Sequence, residues 1–276
     1  MKVAIVLFGN MRTYDQCYKN IEKYITSKYE SDFYIHTWDI LDRTTSSHKN
    51  NDSLLASKKV SEDDILKCYP GAKVQIDEVP QFDKEYDATG KFELSGPKCM
   101  YLSLNRSLSL MLSSKINYDL VVITRPDIFL KGSLDLNGVY NYINNYGRDL
   151  IFRAGYFAAT NSKSVNVLDS WGASDCLMVC NKDVASKLVG LSKRHDLLKL
   201  PYIKWVETQL DYFLVDNNIK SLHLNYIAPE NWAILRRTKE NSDFKVDIMK
   251  QLLVVMQSFM RIVSITRKRI LFKYLN

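Results

Sequence analysis

The chain has 276 residues, is 46% hydrophobic and 25% charged, and carries a formal net charge of +7, a composition ordinary for a globular protein and sufficient for one large α/β domain or two small ones. Its five cysteines are odd in number and widely spaced, with no C-x-x-C, which argues against a disulfide framework or a zinc site and for reduced thiols in the cytosol. Only six apolar residues separate Lys2 from Gly9, too few for a signal peptide, and no window reaches the roughly 18 to 20 uncharged apolar residues of a membrane span.

In chain order, Lys2–Phe8 reads as a first strand, Gly9–Thr13 as a turn, and Tyr14–Tyr29 as a helix with Tyr14, Tyr18, Ile21 and Ile25 along one face. Asp32–Asp39 reads as a second strand with its exit loop. This β-turn-α-β opening predicts a nucleotide-binding α/β sheet, mainly parallel and flanked by helices. Thr44–Lys59 is a polar loop, Ser61 caps a short helix whose first turn is acidic, Ala72–Val79 is a third strand, and Gln81–Pro97 a second loop. A helix over Lys98–Ser114 leads into Leu120–Ile123, a short, unbroken, β-branched run expected of a central strand covered on both faces. Pro126 cannot continue that ladder. Leu134–Tyr146 is helical or irregular, Asp149–Arg153 a strand, Ser170–Ser174 a turn, Asp175–Cys180 a strand, Lys182–Ser192 and Trp205–Asn217 helices, and Lys220–Ile227 the last strand.

Charge separates the end of the chain from the rest. Lys245–Asn276 holds seven basic residues and one acid, leaving the preceding residues near neutral. Ile248, Met249, Leu252, Met256, Phe259, Met260 and Val263 recur at helical spacing, so residues 244–276 are expected to form a basic amphipathic helix suited to an anionic membrane surface, appended to a domain spanning 1–243. Packing on the body or dimerisation would use the same pattern. A near-neutral body argues against nucleic acid as a partner.

Five segments and a lone histidine can carry chemistry. Gly9 and Arg12, after the first strand, allow close backbone approach and phosphate contact, although a plain strand–helix turn explains them equally. His36, Thr37, Trp38 and Asp39 end the second strand, where an aromatic ring can stack on a base and a carboxylate can hold a ribose; a packed Trp38 and a structural His36 are as readily expected. Arg125 and Asp127 end the central strand, the position at which open α/β sheets hold ligands; a cation beside a potential metal ligand suits a phosphorylated substrate. Asp175 stands at the mouth of an apolar strand and can act as a base for a hydroxyl or cap a turn. Glu207 and Asp211 share one face of a helix, either toward a cleft or toward solvent. His223 projects opposite to Leu222 and Leu224 and can be a metal ligand or a structural histidine.

The order of these segments resembles bacterial glycosyltransferases of the GT-A type that act on lipopolysaccharide, O-antigen or capsule. The F-G-x-x-R-T turn is Phe8–Thr13, D-x-F-x-H-T-W-D is Asp32–Asp39, R-x-D is Arg125–Asp127, W-x-x-S-D is Trp171–Asp175, and the acidic helix is Glu207–Leu214. The resemblance covers roughly residues 1–237. It implies a GT-A-like (Rossmann-like) fold and a nucleotide-sugar donor, with Phe8, Gly9, Arg12, Thr37, Trp38, Asp39 and Arg125 binding the donor. It implies Asp175, Glu207 and Arg125 as catalytic, and Mg²⁺ or Mn²⁺ on Asp127, with His223 a further candidate ligand. Family members carry D-x-D at the metal; Arg125 stands here in place of the first Asp. The acceptor would be a glycan or lipid-linked hydroxyl at the inner membrane face, making the protein cytoplasmic and peripheral. The competing readings are a sugar nucleotidyltransferase, which needs a richer glycine and basic N-terminal loop than Gly9 and Arg12 supply, and a non-catalytic membrane-peripheral protein.

Overall fold

The computed structural model of the chain describes residues 1–42, 58–86, 90, 93–155, 173–199, 206–227, 230–238 and 241–246. Ten strands and six α-helices follow in order: β1 (Lys2–Phe8), α1 (Tyr14–Ile21), β2 (Glu30–Trp38), α2 (Glu62–Cys68), β3 (Lys73–Asp77), α3 (Ser95–Ser113), β4 (Leu120–Thr124), β5 (Ile128–Leu130), α4 (Leu136–Tyr146), β6 (Leu150–Gly155), β7 (Ala173–Cys180), α5 (Lys182–Leu188), α6 (Val206–Asp216), β8 (Lys220–Ile227), β9 (Trp232–Thr238) and β10 (Asn241–Val246). A π-helical turn over Glu22–Thr26 continues α1, so the single helix expected to Tyr29 ends earlier and changes pitch.

Seven strands form one sheet in the order β3-β2-β1-β4-β7-β6-β8. Every pairing is parallel except those of β7, which runs antiparallel to both β4 and β6. The expectation of an α/β fold with a mainly parallel sheet is met. The sheet has two covered faces because its central strands alternate between two cores. Val3, Ile5, Leu7, Leu120 and Val122 join the core shared with Ile21 and Ile25. Ala4, Val6, Phe8, Val121 and Ile123 join the opposite core, with Tyr101, Leu104, Leu108 and Met111 of α3. All ten of these strand side chains are at most 1% exposed, and full burial of each aliphatic one is worth about 1.5–3 kcal/mol.

The strand order after Pro126 differs from the sequence expectation. Pro126 does end β4, but the chain re-enters a strand at once: β5 pairs with β9, and β9 with β10, in a second, antiparallel sheet. Lys220–Ile227 is therefore not the last strand. Residue 243, where the charge begins to shift, lies in β10. Residues 247–276, which hold most of the expected amphipathic tail, lie outside the described residues.

The chain builds β1, β2 and β3 outward in one direction, then crosses back so that β4 lies on the other side of β1. The carboxyl ends of β1 and β4 are thus the switch point of the sheet, where diverging connections leave a crevice. Leu7 is in register with Thr124, which brings the Gly9 turn level with Pro126.

Candidate functional site

The turn after β1 is shaped by Gly9, whose φ of +97° suits glycine. Its N–H donates to Ser103 Oγ on α3 at 2.7 Å. The following Arg12 N–H donates to the Leu41 carbonyl at 3.0 Å, which lays the exit of β2 against this turn. Asp42, unremarked in the sequence, arrives by that route. It accepts from Arg12 Nε at 2.6 Å and from Asn10 Nδ2 at 3.3 Å. Asn10 Oδ1 is buried and has no hydrogen-bond partner among the described residues.

From the other side of the switch point comes Arg125–Asp127. Asp127 is fully buried. Arg125 grips it with both edges of one fork, Nε to Oδ1 at 2.9 Å and Nη2 to Oδ2 at 2.6 Å. Arg12 Nη1 reaches the same Oδ2 at 2.9 Å. Two arginines from the turns after the adjacent strands β1 and β4 therefore share one carboxylate, and both keep 15% of their side chains exposed. Burial by itself weakens the Arg125 charge, but Asp127, with Cys176 and Asp175 adding, holds its pKa well above the ordinary value. The second sheet braces the arrangement: the Leu235 N–H of β9 donates to the Asp127 carbonyl at 2.9 Å, and Thr13 Oγ1 donates to the Leu235 carbonyl at 3.3 Å.

Because β7 is antiparallel, its first residues, not its last, stand at this end of the sheet. The Arg125 N–H donates to the Cys176 carbonyl at 3.2 Å. The Cys176 thiol donates to Asp175 Oδ1 at 3.3 Å, and Arg125 Nη1 lies 3.6 Å from that sulfur. Asp175, 4% exposed, is thus brought to the Arg125 group.

Other expected site residues are placed differently. Phe8, Thr37 and Trp38 are 1%, 0% and 2% exposed and are enclosed by their own core. Phe8 packs among the α3-side core residues, and Thr37 Oγ1 donates to the Trp38 carbonyl. Trp38 is not an open stacking surface: His36 meets its ring edge-on at 4.8 Å, and the Arg106 guanidinium lies 5.4 Å from its centroid. Asp39 pairs with Lys59 and accepts the Val79 N–H at 3.3 Å. Its carboxylate ties the exit of β2 to the segment after β3. The Glu207 side chain lies outside what the structure describes. One turn on, Asp211 forms an ion pair with Arg153, fully buried on β6, whose Nε donates to the Ser174 carbonyl at 3.1 Å.

His223 is in register with Arg153 on the neighbouring β6. Burial and the Arg153 charge lower its pKa, against the pull of Asp211. Its strand, β8, is three places from β4 in the sheet, about 14 Å at the usual strand spacing, so it is not a co-ligand of Asp127. Among the described residues no group of three or more His, Cys, Asp or Glu side chains could hold a metal ion. The donor set at Asp127 itself does not fit Mg²⁺ or Mn²⁺. Both oxygens already accept guanidinium N–H groups, and a doubly charged ion about 4 Å from a guanidinium is repelled by about 8 kcal/mol at an effective dielectric of about 20.

A buried polar chain supports the Gly9 turn from behind. Ser103 Oγ lies 2.7 Å from His36 Nδ1, and His36 Nε2 lies 2.9 Å from Asp77 Oδ2, which also accepts from Gln75 and Arg106. Burial pushes the His36 pKa down to about 4, although Asp77 opposes this. The neutral ring then carries its proton on Nε2, facing the carboxylate, and accepts from the serine hydroxyl on Nδ1. Ser103 and His36 are both fully buried, so this Ser-His-Asp line is a brace rather than a nucleophile.

No protein-family model matches the chain, and no curated protein matches it in sequence.

Proposed function

We propose that the protein is a glycosyltransferase of GT-A type that moves a sugar from a nucleotide-sugar donor to a hydroxyl of a surface-glycan acceptor, its site lying at the β1/β4 switch point. The observation that carries this reading is the meeting of Arg12 and Arg125, from the two diverging strands, on one buried carboxylate with part of each guanidinium left exposed. Paired arginine forks in a crevice are suited to phosphate oxygens. The buried, unsatisfied acceptor Asn10 Oδ1 beside them suits a ribose hydroxyl or a base N–H.

In the reaction, the bond between the sugar anomeric carbon and the β-phosphate oxygen breaks, and its electron pair leaves on the phosphate. The acceptor oxygen forms the new bond to that carbon and gives its proton to Asp175, whose carboxylate lies beside Arg125, or to Glu207. The arginines stabilise the charge growing on the departing diphosphate. The basic residues of 245–276 would hold the enzyme to an anionic membrane surface bearing a lipid-linked acceptor.

The test is turnover. Purified protein incubated with a panel of nucleotide sugars should release nucleoside diphosphate from one of them, faster with acceptor lipid extract. Asp175→Asn should lower kcat by about 10²–10⁴-fold with donor affinity retained. Release from none of the panel contradicts the reading, and an unchanged kcat in Asp175→Asn removes that residue from the chemistry.

A further inference from the structure

We infer that Arg12 and Arg125, cross-braced by Asp127, form a diphosphate clamp that works without a divalent metal at this carboxylate, which makes Asp127 a positioning residue rather than a metal ligand. The inference rests on the transferase reading for the identity of its ligand and deepens it at the same site.

The geometry supports it at each point. Asp127 is fully buried behind the two guanidinium groups, so a ligand in the crevice meets nitrogen edges first. Arg125 spends Nε and Nη2 on Asp127, while its Nη1 donates weakly to the Cys176 sulfur at 3.6 Å. Arg12 spends Nε on Asp42 and Nη1 on Asp127, which leaves the Nη2 edge of that fork. Arg125 is thus held by its Nε/Nη2 edge and keeps Nη1, while Arg12 is held at Nε and Nη1 and keeps Nη2; a guanidinium already fixed in place binds an oxyanion with less loss of freedom. Without a brace, two guanidiniums this close would repel; the shared carboxylate allows both to stand at one site.

The experiment is calorimetric titration of the full chain with UDP, GDP, CDP, ADP, dTDP and inorganic pyrophosphate, in EDTA and again in Mn²⁺. One nucleoside diphosphate should bind in EDTA with a Kd within about threefold of its value in Mn²⁺. Arg12→Lys and Arg125→Lys, which keep the charge but lose the fork, should each weaken that diphosphate about tenfold, while the corresponding unphosphorylated nucleoside binds as to the wild type. Asp127→Asn should do the same, since its amide donates toward a guanidinium. A merely structural role would weaken nucleoside and diphosphate together. If Asp127→Asn fails to fold, the lysine variants carry the test. Binding that appears only with Mn²⁺, or variants that bind diphosphate like the wild type, overturns the clamp and leaves the transferase reading standing. No nucleoside diphosphate bound under either condition overturns both.

Discussion

Two residues outside the proposed chemistry show how tightly this end of the sheet is specified. Gly9 holds φ at +97° with open space where a Cβ would project, so Gly9→Ala tests backbone strain without steric clash. It should cost about 1–2 kcal/mol, read as a lowered denaturation midpoint in urea; a neutral result would show that the turn relaxes freely. Arg153 is a harsher case. Its partner Asp211 is 5% exposed, and Arg153→Ala strands a buried carboxylate, at a cost of roughly 3–5 kcal/mol. The double replacement Arg153→Met with Asp211→Leu should recover most of that loss, because it removes the uncompensated charge as well as the pair. The clamp residues were partly legible at this scale: Arg125 and Asp127 stand out because a charge pair directly follows an apolar β-branched run. Asp42 and Asn10 carry no such mark. Their roles arise from an exit loop folding back on a turn, a contact between segments some thirty residues apart.

The brace behind Gly9 ties β1, β2, β3 and α3 together through Ser103, His36 and Asp77. His36 has a folded pKa of about 4 against an ordinary value of 6.5. Between those values the unfolded chain binds a proton that the folded chain does not, so stability rises with pH across that window and is lost as pH falls from 6.5 toward 4. The full swing for this group is about 3 kcal/mol. Chemical denaturation at pH 7.5 and pH 4.5 should show that loss in the wild type, and His36→Gln should flatten the dependence by a comparable amount. An unchanged slope in the variant would assign the pH response elsewhere. The main-sheet elements were legible where periodicity is strong, as in β1, β2, β4 and α3. They were not legible where pairing is made at long range. β5 is three residues directly after a proline, β9 carries two consecutive arginines, and neither β5 nor the direction of β7 follows from local pattern. The switch from α-helical to π-helical pitch after Ile21 also left no sign in the spacing of Tyr14, Tyr18, Ile21 and Ile25.

For the whole molecule, strand order matters most. The cross-back from β3 to β4 places two turns, more than a hundred residues apart, side by side at one end of the sheet, where Arg12 meets Asp127. The register of Leu7 with Thr124 accounts for their meeting. The expected three-way partition among nucleotide, metal and acceptor groups was less legible. Trp38 and Thr37 read as ligand-facing from their position at a strand end, yet α3 and its Arg106 cover that end. Charge is also organised at this scale: the +7 of the chain resides almost wholly in Lys245–Asn276. The full chain should sediment with anionic vesicles at low salt and less so in 0.5 M salt, and truncation after Val246, which spares β10, should abolish that sedimentation. Vesicle binding retained by the truncated protein would place the membrane surface on the body.

The most direct test of the central claim, that the β1/β4 switch point receives a nucleotide-sugar donor, is hydrogen–deuterium exchange of the full chain with and without the donor that gives turnover. Saturating donor should slow exchange in peptides covering Gly9–Thr13 and Arg125–Ile128 together, more than anywhere else in the main sheet. Protection confined to other segments, with these two turns unchanged, would contradict the account.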